Sequence, residues 1–185
     1  MIGAAMLLAG CENIDRDHVM RISVADQKMF LFKQGVPIAT YDVSTSKFGL
    51  GDQRGSYRTP LGRLAVAKKI GAGAPLGMKF KSRRATGEIV RPDAPGRDPI
   101  VTRILWLRGL EAQNRGAFDR GIYIHGTAEE HNVGRPASYG CIRMRSRDVV
   151  QLFDTVGVGA RVEVVPQSLA ATIASATAAH ADVVH

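Results

Sequence analysis

The chain has 185 residues, of which 45% are hydrophobic and 23% charged, with a formal net charge of +8. This composition fits one globular domain with a sizeable core and short appendages. The basic residues are scattered and accompany no nucleic-acid-binding motif, so we predict no nucleic-acid partner and assign the charge to anionic surroundings such as lipid or an acidic polymer.

The N-terminus has the form of a processing site. Residues 1–10 are nearly all apolar or small and end in Leu8-Ala9-Gly10 before Cys11, which resembles the lipobox of bacterial lipoproteins. We predict that residues 1–10 are a lipoprotein signal and that Cys11 receives the lipid. The stretch is shorter than the about 20 apolar residues that span a bilayer. No Lys or Arg opens it, so an upstream start codon and an unprocessed hydrophobic terminus are the alternatives.

Alternation of apolar and polar residues from His18 to Val24 predicts a first strand, because strand side chains point to opposite faces in turn. Short β-prone segments bounded by turn residues continue along the chain. The predicted strands are 18–24, 29–33, 36–44, 61–70, 100–108, 121–125 and 161–165. We therefore predict a mainly β fold that begins as a β-meander.

The segments between these strands differ in character. Residues 45–60 are rich in Gly, Ser and charge and predict a long loop, of a kind that often carries function. Residues 71–99 lack clear periodicity and predict an irregular insertion. Residues 167–185 are rich in Ala, Ser and Thr and predict a disordered or loosely helical low-complexity tail.

One helix is predicted, shortly after Cys141. Ser146 can serve as its N-cap and Gly157 as its stop. The apolar residues with helical spacing between them are Val149, Leu152, Phe153 and Val156. Cys141 is therefore expected in the segment that enters a packed helix.

A thiol and an imidazole stand in a setting typical of nucleophilic catalysis. Cys141 lies in the segment Ser-Tyr-Gly-Cys-Ile-Arg, residues 138–143, sixteen positions after His125 at the end of a predicted strand. This pairing predicts a thiolate at neutral pH. Attack on a peptide carbonyl would give an oxyanion and then a thioester, with His125 taking the thiol proton and protonating the leaving amine.

The surrounding residues suggest two supporting roles. No Asp or Glu adjoins His125, so a neighbouring carbonyl or hydroxyl is expected to orient its ring. The candidates are Gly126, Thr127 and Ser138. Because Gly140 lacks a Cβ, a substrate carbonyl can approach, and the main-chain N–H groups of Gly140 and Cys141 are the predicted oxyanion donors.

Cys141 has other interpretations. It could be a small buried hydrophobe or form a disulfide with Cys11, the second of the two cysteines. It could bind zinc with His125 and His131, although the paired spacing of metal sites is absent. The loop glycines do not form a GxxxxGK[ST] motif, which rejects phosphate binding. We predict no metal and no cofactor.

His125 together with residues 138–143 resembles the active-site signature of the L,D-transpeptidases, also called the YkuD-like domain. The similarity covers roughly residues 19–165, and we place a catalytic domain at 19–166. It is also carried by residues 22–27, 43–46, 55–62 and 121–126. One position departs from the pattern, since Tyr139 stands where the family usually has His.

The resemblance implies a β-sandwich enzyme that acts on the stem peptides of peptidoglycan. In the family, the cysteine attacks the carbonyl of the third stem residue, expels the terminal D-alanine and passes the acyl group to an amine. By position, Cys141 would be the nucleophile and His125 the base, and Gly126 would supply the carbonyl that orients the ring.

Three residues near the nucleophile are the predicted substrate contacts: Ser138, Tyr139 and Arg143. A guanidinium can bind a carboxylate bidentately, and the alternative for Arg143 is a salt bridge or a solvated side chain. A phenol is neutral at pH 7, so Tyr139 cannot act as a cationic neighbour of the thiolate. It is expected to donate a hydrogen bond or to pack as a core aromatic.

Three activities remain open at this level. An amine acceptor would make the chain a transpeptidase and water an L,D-carboxypeptidase, while Tyr139 raises the third alternative of a non-catalytic peptidoglycan-binding module. Because stem peptides lie outside the cytoplasmic membrane, we predict an exported protein of the periplasm or cell envelope. We further predict a monomer held at the membrane surface through lipid on Cys11.

Overall fold

The computed structural model describes residues 14–96 and 98–170. Ten strands and one α-helix, α1 (Ser146–Thr155), form this part of the chain. The strands are β1 (His18–Ser23), β2 (Lys28–Lys33), β3 (Val36–Asp42), β4 (Gly62–Ile70), β5 (Met78–Lys81), β6 (Arg84–Ile89), β7 (Ile100–Gly109), β8 (Tyr123–Thr127), β9 (Ile142–Met144) and β10 (Arg161–Val165). The mainly β fold with a helix after Cys141 is confirmed. Cys11 and the predicted signal lie outside the described residues.

The strands form one sheet that closes on itself. The hydrogen-bonded order runs β3, β2, β1, β10, β4, β7 and continues through β8 to β9, with the β5–β6 hairpin beside the start of β7. Beyond β3, Ser44 pairs with Arg143 of β9, and their main-chain N–H and C=O groups exchange two hydrogen bonds of 2.9 Å. The two ends of the sheet therefore meet around a common interior.

That interior is apolar and includes one face of α1. Side chains that are at most 1% exposed come from nearly every strand of the closed path and from the helix, and each adds about 1.5–3 kcal/mol by leaving water. They include Met20, Ile22, Leu31, Leu64, Leu105, Ile124, Met144 and Leu152. Burial on this scale holds the strand ends that carry the site in fixed positions.

The predicted irregular insertion at 71–99 is wrong, because it contains the hairpin β5–β6. Ser82 and Arg83 at its turn have φ of 49° and 66°, the left-handed conformation that a two-residue hairpin loop requires at both positions. The usual Asn-Gly signal is missing, and every residue of β6 is exposed. An exposed strand shows no alternation for a sequence pattern to detect.

The helix boundaries also differ from the prediction. Arg145 is the N-cap and Ser146 is the first helical residue, whose N–H donates to the Glu130 carboxylate at 2.7 Å. A distant side chain therefore satisfies the group that a local cap would have served. At the other end the C-cap is Val156, and Gly157, the predicted stop, follows it directly.

Part of the predicted tail packs on the sheet. Leu169 contacts the cluster of Phe30 and Phe32, and its N–H donates to the Asp26 carboxylate at 2.8 Å. Residues 171–185 lie outside the described part. Within residues 14–96 and 98–170, no helix has the length and hydropathy needed to cross a membrane.

Candidate active site

Parallel pairing of β8 with β9 brings Cys141 and His125 together. The register places His125 opposite Arg143 and Ile124 opposite Ile142, so Cys141 lies beside Tyr123 at the start of β8. Residues 123 and 125 point to the same face of the strand, because strand side chains alternate. A separation of sixteen residues in the sequence thus becomes adjacency on one sheet face.

His125 is a buried base with a fixed tautomer. His125 is only 4% exposed, and its Nδ1 lies 2.8 Å from the Gly126 carbonyl oxygen. A carbonyl can only accept, so Nδ1 carries the proton and Nε2 is left as the acceptor. Of the three candidate orienting groups, the structure places the Gly126 carbonyl on the ring.

The protonation of His125 follows from the same surroundings. Burial lowers the pKa of the imidazole below its usual 6.5, and the nearby Arg143 charge adds to this effect. The hydrogen bond to Gly126 and the carboxylate of Asp98 oppose it without reversing it. His125 is therefore neutral at pH 7, the form in which Nε2 can accept a proton.

The Cys141 thiol is half-buried and protonated in the resting protein. Burial raises its pKa to about 11, although the Tyr123 N–H and the charges of Arg143 and Arg120 act in the opposite direction. Sγ lies 3.4 Å from both the Tyr123 nitrogen and the Gly121 oxygen. Among the described residues, no hydrogen bond joins Sγ to His125. The prediction of a resting thiolate is wrong for this structure.

Ser138 and Gly140 shape the turn that presents the thiol. The Ser138 hydroxyl donates to the Cys141 carbonyl and accepts the Gly140 N–H at 3.2 Å. Gly140 has φ of 114°, which favours a residue without a Cβ. The Gly140 N–H is thus engaged inside the turn and does not face a substrate. Within the described residues, the Cys141 N–H has no partner and is the remaining oxyanion donor.

Ser138 itself has no exposed surface, so its predicted substrate contact is not seen. Its hydroxyl is engaged in the two hydrogen bonds of the turn, to the Cys141 carbonyl and from the Gly140 N–H. Thr127, another candidate for orienting His125, instead donates to the Asp98 carboxylate. Both hydroxyls therefore support main chain and loop geometry around the reactive pair.

Arg143 is held by two carboxylates. Its guanidinium lies 2.9 Å from Asp98 and 3.3 Å from Glu129, and its side chain is 8% exposed. The salt bridge, the alternative to a substrate contact, is the arrangement observed. Asp98 escaped the sequence analysis because it precedes His125 by 27 residues and lies in a segment without a motif. The pairing of β7 with β8, and of β8 with β9, brings it to the site.

Replacing Arg143 with methionine should lower the free energy of unfolding by about 3–5 kcal/mol, because it leaves the buried Asp98 carboxylate without its counter-charge. Urea unfolding followed by fluorescence measures this loss. Arg135→Met is the matched control, since Arg135 is exposed on the same side of the molecule, and should change stability by less than about 0.5 kcal/mol. Equal effects of the two substitutions would contradict the ion-pair assignment.

Two cavities adjoin Tyr139. One, of about 700 Å³, is lined by Cys141, Tyr139, Tyr57 and the buried pair of Arg120 and Asp52, whose charged atoms are 2.6 Å apart. The other, of about 690 Å³, lies on the Arg143 side.

Tyr139 lines both cavities and is exposed, so it does not pack as a core aromatic. Its hydroxyl oxygen accepts from Lys47 Nζ at 3.1 Å, in place of the donation predicted.

Zinc binding and a disulfide are the alternative roles for Cys141. In residues 14–96 and 98–170, no group of three or more His, Cys, Asp or Glu side chains could hold a metal ion. His131, the third zinc candidate, instead pairs with Asp93 at 2.6 Å. Cys141 forms no disulfide with any described residue, and Cys11, its predicted alternative partner, lies outside them.

A model of a known protein family matches most of the chain. The family model of the L,D-transpeptidase catalytic domain, YkuD, matches residues 17–164. The chain belongs to this family.

Individual relatives extend the comparison. "Probable L,D-transpeptidase YbiS" of Escherichia coli is 29% identical over 157 residues, which cover 82% of this chain and 45% of YbiS. L,D-transpeptidase 3 from Mycobacterium tuberculosis, solved with a faropenem-derived adduct, has a TM-score of 0.52 at 18% identity, covering 80% of this chain and 60% of that one. An L,D-transpeptidase from Xylanimonas cellulosilytica gives 0.51 at 20% identity, covering 83% and 62%. The chain thus spans less than half of YbiS and about three fifths of these structures.

Proposed function

We propose that this chain is the catalytic domain of a peptidoglycan L,D-transpeptidase that cross-links or remodels the cell wall. One observation carries the proposal. The imidazole of His125 is neutral and is held by its hydrogen bond to the Gly126 carbonyl, and Nε2 has no hydrogen-bond partner among the described residues. It lies on the same sheet face as a thiol that opens onto a large cavity. A neutral base next to a protonated thiol is the pair that acyl transfer requires.

The first half-reaction consumes the donor stem. As Sγ of Cys141 turns from Gly121 toward His125, Nε2 takes the thiol proton and sulfur bonds to the carbonyl carbon of the third stem residue. The Cys141 N–H stabilises the oxyanion that forms. The bond to the terminal D-alanine then breaks, its amine takes the proton from Nε2, and a thioester remains.

The second half-reaction restores the thiol. An acceptor amine attacks the thioester carbon and gives a proton to Nε2 of His125. The carbon–sulfur bond then breaks, and Sγ of Cys141 takes that proton back. The net result exchanges one amide for another, so no cofactor or redox partner takes part.

We infer that Tyr139 changes how the substrate approaches Cys141 and leaves the reaction itself unchanged. It stands where the family usually has His, and its hydroxyl oxygen accepts a hydrogen bond from Lys47. The base and nucleophile are both present, which favours the enzyme over a non-catalytic peptidoglycan-binding module.

We also propose where the protein acts. Its substrate lies outside the cytoplasmic membrane, and residues 8–11 have the form of a lipoprotein processing site. We therefore propose an exported monomer of the periplasm or cell envelope, anchored by lipid on Cys11. Mass spectrometry of the N-terminal peptide from membrane fractions, with Cys11→Ser as control, tests the anchor. An unprocessed, unlipidated terminus in the cytoplasm would contradict it.

Muropeptide analysis separates the candidate activities. Incubation of the protein with purified tetrapeptide stems should yield a 3→3 linked dimer and free D-alanine, and Cys141→Ala should yield neither. Release of tripeptide alone would identify an L,D-carboxypeptidase, because water would then resolve the thioester. Binding to sacculi without any product from the unmodified protein would identify a binding module.

A further inference from the structure

Three aromatic side chains form an exposed patch beside the nucleophile. Phe48, Tyr57 and Tyr139, here called the aromatic platform, are 44%, 57% and 54% exposed. Their ring centroids lie 5.5 to 6.0 Å apart. Large aromatic groups grouped together in water are unfavourable unless something covers them, so such patches mark binding surfaces.

The platform is built into the fold and does not depend on mobile side chains alone. Its two loops are tied by a hydrogen bond from the Lys47 N–H to the Ser138 carbonyl at 3.1 Å and one from the Thr59 hydroxyl to the Gly140 carbonyl at 3.1 Å. The Ser46 hydroxyl also donates to the Tyr57 carbonyl. The rings are therefore presented in a fixed arrangement.

Tyr57 shows that this arrangement has an energetic cost. Its φ is 56°, in the left-handed region that a bulky residue rarely adopts. Strain of this kind costs on the order of 1–3 kcal/mol and concentrates at functional sites. A turn that served only to connect two segments would be relieved by Gly or Asn at this position.

We propose that the aromatic platform binds the sugar rings of the glycan strand to which the stem peptide is attached, an inference that rests on the proposed function. Pyranose rings have apolar C–H faces that cover aromatic faces, and hydroxyls at their rims. Lys47 Nζ stands 4.5 Å from the centre of the Tyr139 ring and supplies a donor for such hydroxyls at the edge of the platform.

The spacing between platform and nucleophile suits this occupant. Tyr139 is two residues from Cys141 and so lies within about 7 Å of it along the chain. The three stem residues that join a sugar to the attacked carbonyl span at most about 11 Å. Phe48 and Tyr57 add two further rings to the platform, so a stem seated at Cys141 can leave its sugar on the aromatic surface.

Binding of a peptide-free glycan strand tests the proposal directly. The probe is an N-acetylglucosamine–N-acetylmuramic acid tetrasaccharide, titrated into the Cys141→Ala protein and followed by calorimetry. Phe48→Ala and Tyr57→Asn should each weaken binding about 3- to 10-fold, and Tyr57→Phe should restore it. Asn tolerates positive φ, so Tyr57→Asn removes the ring without adding strain. Ile38→Ala on β3, an exposed apolar residue, is the matched control.

A second measurement separates sugar from peptide recognition. The ratio of kcat/KM for disaccharide-tetrapeptide to that for free tetrapeptide should fall by the same 3- to 10-fold in Phe48→Ala. Absence of strand binding, strand binding unchanged by the platform substitutions, or an unchanged ratio would overturn the proposal. Strand binding that depends on the platform in a protein whose Cys141 is never acylated would refute the proposed function and leave the platform standing.

Discussion

Replacing Cys141 with alanine is expected to abolish covalent acylation of the protein. Incubation of the unmodified protein with imipenem should add the mass of one opened carbapenem, and Cys141→Ala should keep its unmodified mass. Cys141 is the residue whose sulfur opens onto the 700 Å³ cavity, and loss of a nucleophile of this kind typically costs three or more orders of magnitude in rate.

Cys11→Ser is the matched control, because Cys11 and Cys141 are the two cysteines of the chain. This variant should be acylated like the unmodified protein. Peptide mapping that placed the adduct on Cys11, or on any residue of the Cys141→Ala protein, would contradict the assignment.

The pH dependence of simple alkylation provides a second check on Cys141. Because burial raises the thiol pKa to about 11, only about one molecule in 10⁴ carries a thiolate at pH 7. The rate with iodoacetamide should therefore rise about tenfold per pH unit from pH 7 toward 10. A plateau below pH 9 would show a preformed thiolate, as the sequence alone predicted.

Replacing His125 with alanine should slow acylation of Cys141 by about 10²- to 10⁴-fold, the usual contribution of a positioned general base. Stopped-flow measurement of imipenem consumption gives the rate. His131→Ala is the matched control, since His131 is exposed and paired with Asp93, and it should react at the unmodified rate. Similar losses in both variants would contradict the role of His125.

The pH profile distinguishes a base from a structural imidazole. Burial lowers the pKa of His125, so the neutral base persists below pH 6.5 and the acid limb of the acylation rate should lie below that value. In the unfolded chain the imidazole keeps its ordinary pKa and binds more protons there, so stability should also decline as pH falls below 6.5. An acid limb above pH 6.5 would rule out the buried, Gly126-oriented base.

Much of the fold was accessible from local patterns. The strands at residues 18–24 and 161–165 were predicted within a residue, because each buries one face and alternation makes that visible. The β5–β6 hairpin was missed since β6 buries nothing. Strand β9 was missed because three residues are too few to show a period.

The residues of the site also differ in how far local sequence patterns predict them. Cys141, His125 and Gly126 could be identified as candidate site residues from the sequence. A thiol, a strand-end imidazole and adjacent glycines lie there in short, recognisable segments. Asp98, which pairs with Arg143 and acts on the pKa of His125, has no such segment. Its contact with Arg143 depends on the pairing of β7 and β9 with β8, which joins residues that are far apart in the chain.

By itself, the sequence determined the mainly β scaffold and the chemistry that we propose for it, with a cysteine nucleophile and a histidine base. These follow from residue types and their local spacing. Only the tertiary structure decided that the resting thiol of Cys141 is protonated and that Arg143 forms ion pairs with carboxylates. It also decided that Tyr139 belongs to an exposed aromatic platform. Burial, long-range ion pairing and exposure depend on which distant segments pack together, and no local pattern records that.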